Sequence, residues 1–422
     1  MSYLFNKIVT LSNRDAFGRT TVSQPFTLAD YSHVYGEAPE LITVTAGPGT
    51  TVVTVPNESS IRLTIGTANG AYAIHQSRMY HHYMPGKSQL ILESFCFGAT
   101  TSNGAVKRMG YFDDRDGVFF QQDPSGNLSF VQRSYVTGTA VDLTFTQSSW
   151  NKDKCDGTGQ SGFNLDITKT QLAFFDYQWL GVGRVRCGFV HDGENIVAHE
   201  IYHSNSLSTV YWSNPSLPIR CEIRNIATGS ATASMDQICA SVMSEGGYEG
   251  SGIDFAAASG ERFIATIEGT LPVISIRLKN TFNGYPNRVT VRPGMVDMLG
   301  INNPFKYEVW RLPGTTSITG GTWVSAGIDS SVEYNVTATG WTSTGGNLFN
   351  VGQIAASSTT KGGGAISPIG ENVQTITSSK RGFISQNFDS TGSNIFAIIV
   401  TAYDVTGGSC SFYGTMQWRE TR

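Results

Sequence analysis

His199-Glu200-Ile201-Tyr202-His203 has the spacing H-E-x-x-H, in which two imidazoles hold a zinc ion and the glutamate activates water. That chemistry needs a helix, where positions i and i+4 stack about 6 Å apart on one face. Here the motif follows His191-Asp192-Gly193, and Asp-Gly between two β-rich runs is a hairpin signal. On a strand the two histidines share a face but stand about 13 Å apart, at roughly 3.3 Å per residue. The segment is therefore predicted to be a strand that cannot hold one zinc between its histidines.

Other residues with chemical potential carry weaker signals. In Tyr80-His81-His82-Tyr83 the two histidines face opposite ways on a strand, so a shared metal is excluded. Tyr80, His82 and Tyr83 are the candidate glycan contacts, with an edge strand or loop at an interface as the plainer expectation. Asp113, Asp114 and Asp116 precede Gly117, but Phe112 stands at the first ligand position of an EF-hand loop and Asp123 at the last. An acidic β-turn is expected, with room for one clipped cation. Asp176 and Gln178 share a face of one strand, where a glycosidase would need two carboxylates, one as nucleophile and one as acid. Gln178 cannot deliver a proton, and Glu200 and Glu222 lie on other strands. Gly181-Val182-Gly183 starts a G-x-G-x-x-G pattern that ends in Arg186 with no helix after it, so it is a strand connector and not a phosphate cradle. Neither G-x-S-x-G nor a Walker A lysine occurs. Trp150, Trp179, Trp212 and Trp341 are possible sugar platforms, Trp179 reading as core.

The elements that must position these groups are strands. In 184–190, Val185, Cys187 and Phe189 alternate with Arg184, Arg186 and Gly188, a period of two with one dry face. In 172–179, Phe175, Tyr177 and Trp179 share one face. Short strands recur from about 56 to 248 with turn signals between them, the rhythm of a jelly-roll sandwich. Glu245-Gly246-Gly247-Tyr248-Glu249-Gly250-Ser251-Gly252 reads as a hinge. Strands at 264–278, 306–311, 394–403 and 411–418 then predict a second β-sandwich. Residues 1–55, broken by Pro25, Pro39 and Pro48, are predicted to be an extended arm that docks on a neighbour.

Bulk composition agrees with an all-β chain. Charged residues make up 15% of 422, and 47 glycines serve tight turns, against a usual charged share of about 25%. A net charge of −4 without a basic run argues against nucleic acid. The six cysteines contain no CxxC pair and read as buried free thiols, although an even count permits disulfides. No signal peptide is visible, and the apolar run 395–400 is far short of the roughly 20 residues of a membrane helix.

Two resemblances follow from particular residues. Gly110-Tyr111-Phe112, Gly117-Val118-Phe119-Phe120 and Trp179-Leu180-Gly181-Val182-Gly183-Arg184-Val185-Arg186 resemble the concanavalin A-like (laminin G-like) jelly roll, over about 88–226. Asp15-Ala16-Phe17-Gly18-Arg19, Pro25-Phe26-Thr27-Leu28-Ala29-Asp30, Tyr83-Met84-Pro85-Gly86-Lys87-Ser88-Gln89, Gln147-Ser148-Ser149-Trp150-Asn151, Asp156-Gly157-Thr158-Gly159 and Trp418-Arg419-Glu420 resemble tailed-phage virion structural proteins of aquatic phages. That resemblance implies a capsid decoration, fibre or tail-associated subunit, made in the host cytoplasm and assembled with major capsid or tail proteins. It implies no enzymatic activity and no cofactor. Phe17, Arg19 and Phe26 are the expected docking residues of the arm, and a homotrimer is the expected assembly. The alternative is a carbohydrate-binding receptor module displayed on the particle.

Overall fold

The computed structural model describes residues 24–38, 41–99, 104–227, 232–246, 252–355, 364–368, 383–387 and 392–422. Among them there is no α-helix, only strands and short 3-10 turns. The chain divides into two compact units, Met1–Tyr248 and Glu249–Arg422.

The first unit has fifteen strands: β1 Pro25–Ser32, β2 Ile42–Ala46, β3 Thr50–Val55, β4 Ser60–Ile65, β5 Tyr72–Ser77, β6 Gln89–Cys96, β7 Ala105–Phe112, β8 Gly117–Gln122, β9 Leu128–Ser134, β10 Val141–Thr146, β11 Gln171–Tyr177, β12 Arg184–His191, β13 Glu194–Tyr202, β14 Ile219–Asn225 and β15 Ala233–Glu245. One sheet has eight strands in the order β13-β12-β11-β6-β15-β4-β3, with β1 also on β15. The other has seven in the order β10-β9-β8-β7-β14-β5-β2. Their inner faces make one core by strand alternation: Phe95 from β6, Met109 and Tyr111 from β7, Phe120 from β8, Phe130 from β9, Phe175 and Tyr177 from β11, Val185 and Phe189 from β12. Phe97 stacks on Phe120 at 5.4 Å and Phe130 lies 4.8 Å from Trp150, contacts worth about 1 kcal/mol each beyond the area they bury.

Residues 25–55 are a correction to the expected arm. β1 pairs with β15 from Pro25↔Glu245 to Ser32↔Cys239, β2 pairs with β5, and β3 pairs with β4. Backbone hydrogen bonds to strands distant in sequence absorb a stretch whose prolines suggested no long element. Phe26 is half-buried in β1, opposite Ser244. Phe17 and Arg19 lie outside the described residues.

The second unit has one sheet of Ile253–Ala258, Cys410–Thr421, Thr290–Gly300 and Gly364–Pro368, with Arg262–Ile264 also on Cys410–Thr421. Its other sheet runs Val324–Ser325, Val332–Asn335, Thr270–Leu278, Ile395–Ala402, Phe305–Leu312, Asn347–Ile354. Between them lie Val273, Ile276, Val291, Met298, Phe305, Ile398, Phe412 and Trp418. A buried carboxylate, Glu420, accepts from Ser330 Oγ, Ser331 N and Oγ, and Trp418 Nε1. That set of donors satisfies the hydrogen-bonding needs of a carboxyl group in the interior.

Candidate functional site

The alternation that turns Phe175 and Tyr177 into the core turns Leu172, Phe174 and Asp176 onto the outer face of the eight-stranded sheet. Register then lines up residues far apart in sequence. Cys239, Ser94, Leu172 and Val190 are successive cross-strand neighbours on β15, β6, β11 and β12. This row lies in a cleft of about 500 Å³ that is also lined by the loop residues Phe163, Asn164, Asp166, Thr170 and Gln171 and by His191 and Asp192 of the β12–β13 hairpin. That volume is in the range of small-molecule sites, roughly 300–1,000 Å³.

Local chemistry fixes both the loop and the hairpin. The Asp166 carboxylate accepts from Thr168 N at 2.9 Å and Thr168 Oγ1 at 2.6 Å, while its carbonyl accepts from Gln171 Nε2 at 2.8 Å. The hydroxyl and amide of Thr168 hold that carboxyl below its ordinary range, so it is ionised at neutral pH. Asp153 anchors the preceding loop by accepting from Cys155 N and Ser161 N, each at 2.8 Å. In the β12–β13 hairpin Asp192 has φ +50° and Gly193 φ +84°. Positive φ at both central residues is the two-residue turn whose twist matches the strands. The His191 ring packs on Phe163 at 4.5 Å between centroids.

Four residues along the strands, about 13 Å from the Leu172 row, the same face becomes charged. Asp176, Arg186 and Glu200 are cross-strand neighbours on β11, β12 and β13. Arg186 is paired with Asp176. Glu200 takes Lys152 at 3.1 Å, Arg184 at 3.4 Å and the Tyr202 hydroxyl. Burial works to raise its pKa, but the hydrogen bonds from Tyr202 and Lys152 and the charge of Arg184 outweigh it and leave the carboxyl below its usual range. Asn151 clamps the Glu200 backbone through both amide atoms, at 2.8 and 2.9 Å. Between cleft and patch lie Leu92, Phe174, Gly188 and Val197. A Cβ at Gly188 would meet the Phe174 ring at 2.7 Å, so glycine lets that ring lie flat.

The structure disperses the motifs singled out from the sequence. His199 lies in β13, its ring 4.4 Å from Phe145 and its Nδ1 accepting from Asn151 N. His203 stacks on Tyr211 at 4.0 Å, its ring nitrogens facing Gly183 O and Gln132 Oε1. Burial holds both imidazoles below their ordinary pKa. Among the described residues no group of three or more His, Cys, Asp or Glu could hold a metal ion. The Asp113 turn is closed on itself, with Asp113 accepting from Arg115 N and Asp116 N and Asp116 accepting from Tyr135 N and Ser213 N.

Of the candidate glycan contacts, Tyr83 lies in the core, stacked on Tyr177 at 5.5 Å and donating to Lys87 O. Tyr80 is buried and donates to Asp113, and His82 is half-buried. Neither tyrosine ring offers a face to a ligand. Trp150 and Trp212 are buried too, while Trp179 and Trp341 are partly buried. All six cysteines are free: Cys155, Cys187, Cys221 and Cys410 buried, Cys96 half-buried, Cys239 exposed. The cleft itself was missed. Its only sequence signal is the outward set of the strand alternation, which does not say which strands are neighbours.

No family model and no curated protein matches the sequence. Solved structures do match. Peanut lectin is 11% identical with a TM-score of 0.31, the match covering 53% of this chain and 98% of that one. A beta-1,3-glucanase from Mycobacterium marinum is 12% identical with a TM-score of 0.34, covering 52% and 100%. A GH16 protein of Bacteroides ovatus in complex with a product is 8% identical with a TM-score of 0.35, covering 51% and 99%. The first unit's own topology, an eight-stranded and a seven-stranded sheet, is all-β, as the sequence predicts. The expectation of no enzymatic activity is corrected by these matches, which include glucanases. The particle resemblance has no counterpart among them.

Proposed function

We propose that the chain is a carbohydrate-binding protein and that a sugar sits in the cleft over Leu172 and Val190. The observation that carries this reading is the convergence, in one cleft, of planar polar groups and apolar side chains. Asn164, Asp166, Gln171 and Asp192 offer acceptors and donors for sugar hydroxyls. Leu172, Val190 and the exposed His191 ring suit the C–H face of a pyranose. The test is a glycan array followed by titration of the full chain, with Val190→Trp to fill the cleft. Selective binding that drops at least about tenfold in the filled variant supports the reading. A blank array, or binding that survives the filling, ends it.

The second reading is the one the particle resemblance implies, a structural subunit of a phage virion that displays this module. Ile253, Phe263 and Ile267 of the second unit are 47%, 64% and 62% exposed, which suits a subunit contact. Sedimentation tests it: a trimer that Phe263→Asp dissociates supports assembly through this segment, and a concentration-independent monomer rules it out.

A further inference from the structure

We infer that the ligand is an anionic polysaccharide in which acidic groups are spaced by neutral sugars, lying along β11 and β12 with an acidic group over Arg184, Arg186 and Lys152. The inference rests on the carbohydrate reading and adds the ligand's charge and direction.

The vertical order of charges in the patch carries it. The carboxylates are at the bottom, with side chains only 6% exposed for Asp176 and 4% for Glu200. The cations lie above them, with side chains 42% exposed for Lys152, 19% for Arg184 and 11% for Arg186. Three cations over two carboxylates leave an excess of positive charge on the solvent side. Guanidinium groups present paired N–H donors that fit a carboxylate or sulfate. Tyr202, 56% exposed, stands beside Lys152 with its ring centroid 5.9 Å from Nζ, an apolar wall for the sugar bearing the acid.

The other end of the face has the opposite sign. Asp166 and Asp192 line the cleft, and no lysine or arginine does. An acidic sugar in the cleft would meet two carboxylates, whereas a neutral one meets hydrogen-bond partners. Between the two ends the half-buried Leu92 and Val197 flank the buried Phe174 and Gly188, so the stretch joining them is apolar. A ligand satisfying both ends therefore carries a neutral unit and, about 13 Å away along the strands, an acid. A polymer with an acid on every sugar puts like charges together in the cleft.

The experiment is calorimetric titration of the full chain with four probes: gellan oligosaccharides, whose uronates are separated by neutral sugars; κ-carrageenan oligosaccharides, which carry sulfate instead; polygalacturonate oligomers, acidic at every unit; and neutral cello-oligosaccharides. Gellan or carrageenan fragments are expected to bind about five- to tenfold more tightly than the neutral and fully acidic probes, with the advantage shrinking as salt is raised. The better of the two identifies the acid as carboxylate or sulfate. The double variant Lys152→Gln, Arg184→Gln is expected to abolish the advantage while neutral binding and the circular dichroism spectrum stay unchanged. Equal binding of spaced-acid and neutral probes, tightest binding of polygalacturonate, or an advantage that survives in the double variant would each overturn the inference and leave the carbohydrate reading standing. If none of the four binds, that reading falls and this one with it.

Discussion

The outer faces of the two sheets use the same residue types to different ends. On the seven-stranded face Arg108, Arg220 and Arg224 gather on Glu222, while Arg133 pairs with Asp142. Their guanidiniums lie over rings: Arg108 and Arg133 on Phe119, Arg220 on Phe112, Arg224 on Tyr72. Gly110, at φ +149° and cross-strand from both Arg220 and Phe119, has no room for a Cβ, which would meet Val118 O at 2.6 Å and Phe119 Cα at 2.7 Å; Arg220 reaches Asp114 at 2.9 Å. The Arg220 and Glu222 side chains are 1% and 3% exposed. On the eight-stranded face the Tyr202 ring lies 5.9 Å from Lys152 Nζ, and the cation side chains are 42%, 19% and 11% exposed for Lys152, Arg184 and Arg186, against 41%, 19%, 11% and 1% for Arg224, Arg108, Arg133 and Arg220. What sets the seven-stranded cluster apart is Arg220, 1% exposed and lying over Phe112, whereas the cations of the other cluster keep 11% or more of their side chains in solvent.

The comparison breaks most readily at Glu222. Burial works to raise its pKa, but Arg220, Arg108 and Arg224 overcome that and bring it to about 2, from an ordinary 4.5. Its stabilisation is complete above pH 4.5 and disappears as pH falls toward 2. Glu222→Ala strands three guanidiniums and is expected to cost about 3–5 kcal/mol in urea denaturation. A loss under about 1 kcal/mol would mean this face is as open as the other.

Between the sheets, Glu93 tests the interior that both faces cover. Burial raises its pKa to about 8, against weaker hydrogen bonds from Cys221 and Gln237. The unfolded chain releases this proton near pH 4.5 and the folded one near 8, so stability falls as pH rises through that window. Glu93→Gln removes a slope on the order of 4 kcal/mol over that range. An unchanged pH–stability profile would show that Glu93 is not held in a dry core.

Gly188→Ala should cost about 1–3 kcal/mol, because the added methyl strikes the Phe174 ring and the Ile196 carbonyl. A neutral thermal melt would mean the ring moves freely on that face. The smallest effect belongs to Lys152→Ala. Its partner is buried, but its own side chain is 42% exposed. The expected loss is under about 1 kcal/mol, and a loss approaching that of Glu222→Ala would erase the difference between the faces.

Periodicity made part of this fold legible. The alternation in β12 and the Asp-Gly turn placed 199–203 on a strand, and β13 runs Glu194–Tyr202. Register was not legible. Nothing near Leu172 says that its neighbours are Ser94 and Val190, and nothing near Ser94 names Cys239. The cleft exists only in those pairings. Tyr80 and Tyr83 are candidate glycan contacts in the sequence, with packing at an interface the plainer expectation, and the structure buries both. Their hydroxyls instead meet Asp113 and Lys87 O inside the fold, as buried phenols do. The arm was misjudged for the same reason as the cleft, since β1's partner strand lies near the far end of the unit.

The pairing of Pro25–Ser32 with Cys239–Glu245 closes a loop of more than two hundred residues. Such a closure is slow, because the entropy of a long loop is spent before its contacts form. Pro25–Ser32 therefore has no partner on its edge until Cys239–Glu245 has been made. Until then it is an unpaired strand edge, the kind of segment that seeks another backbone.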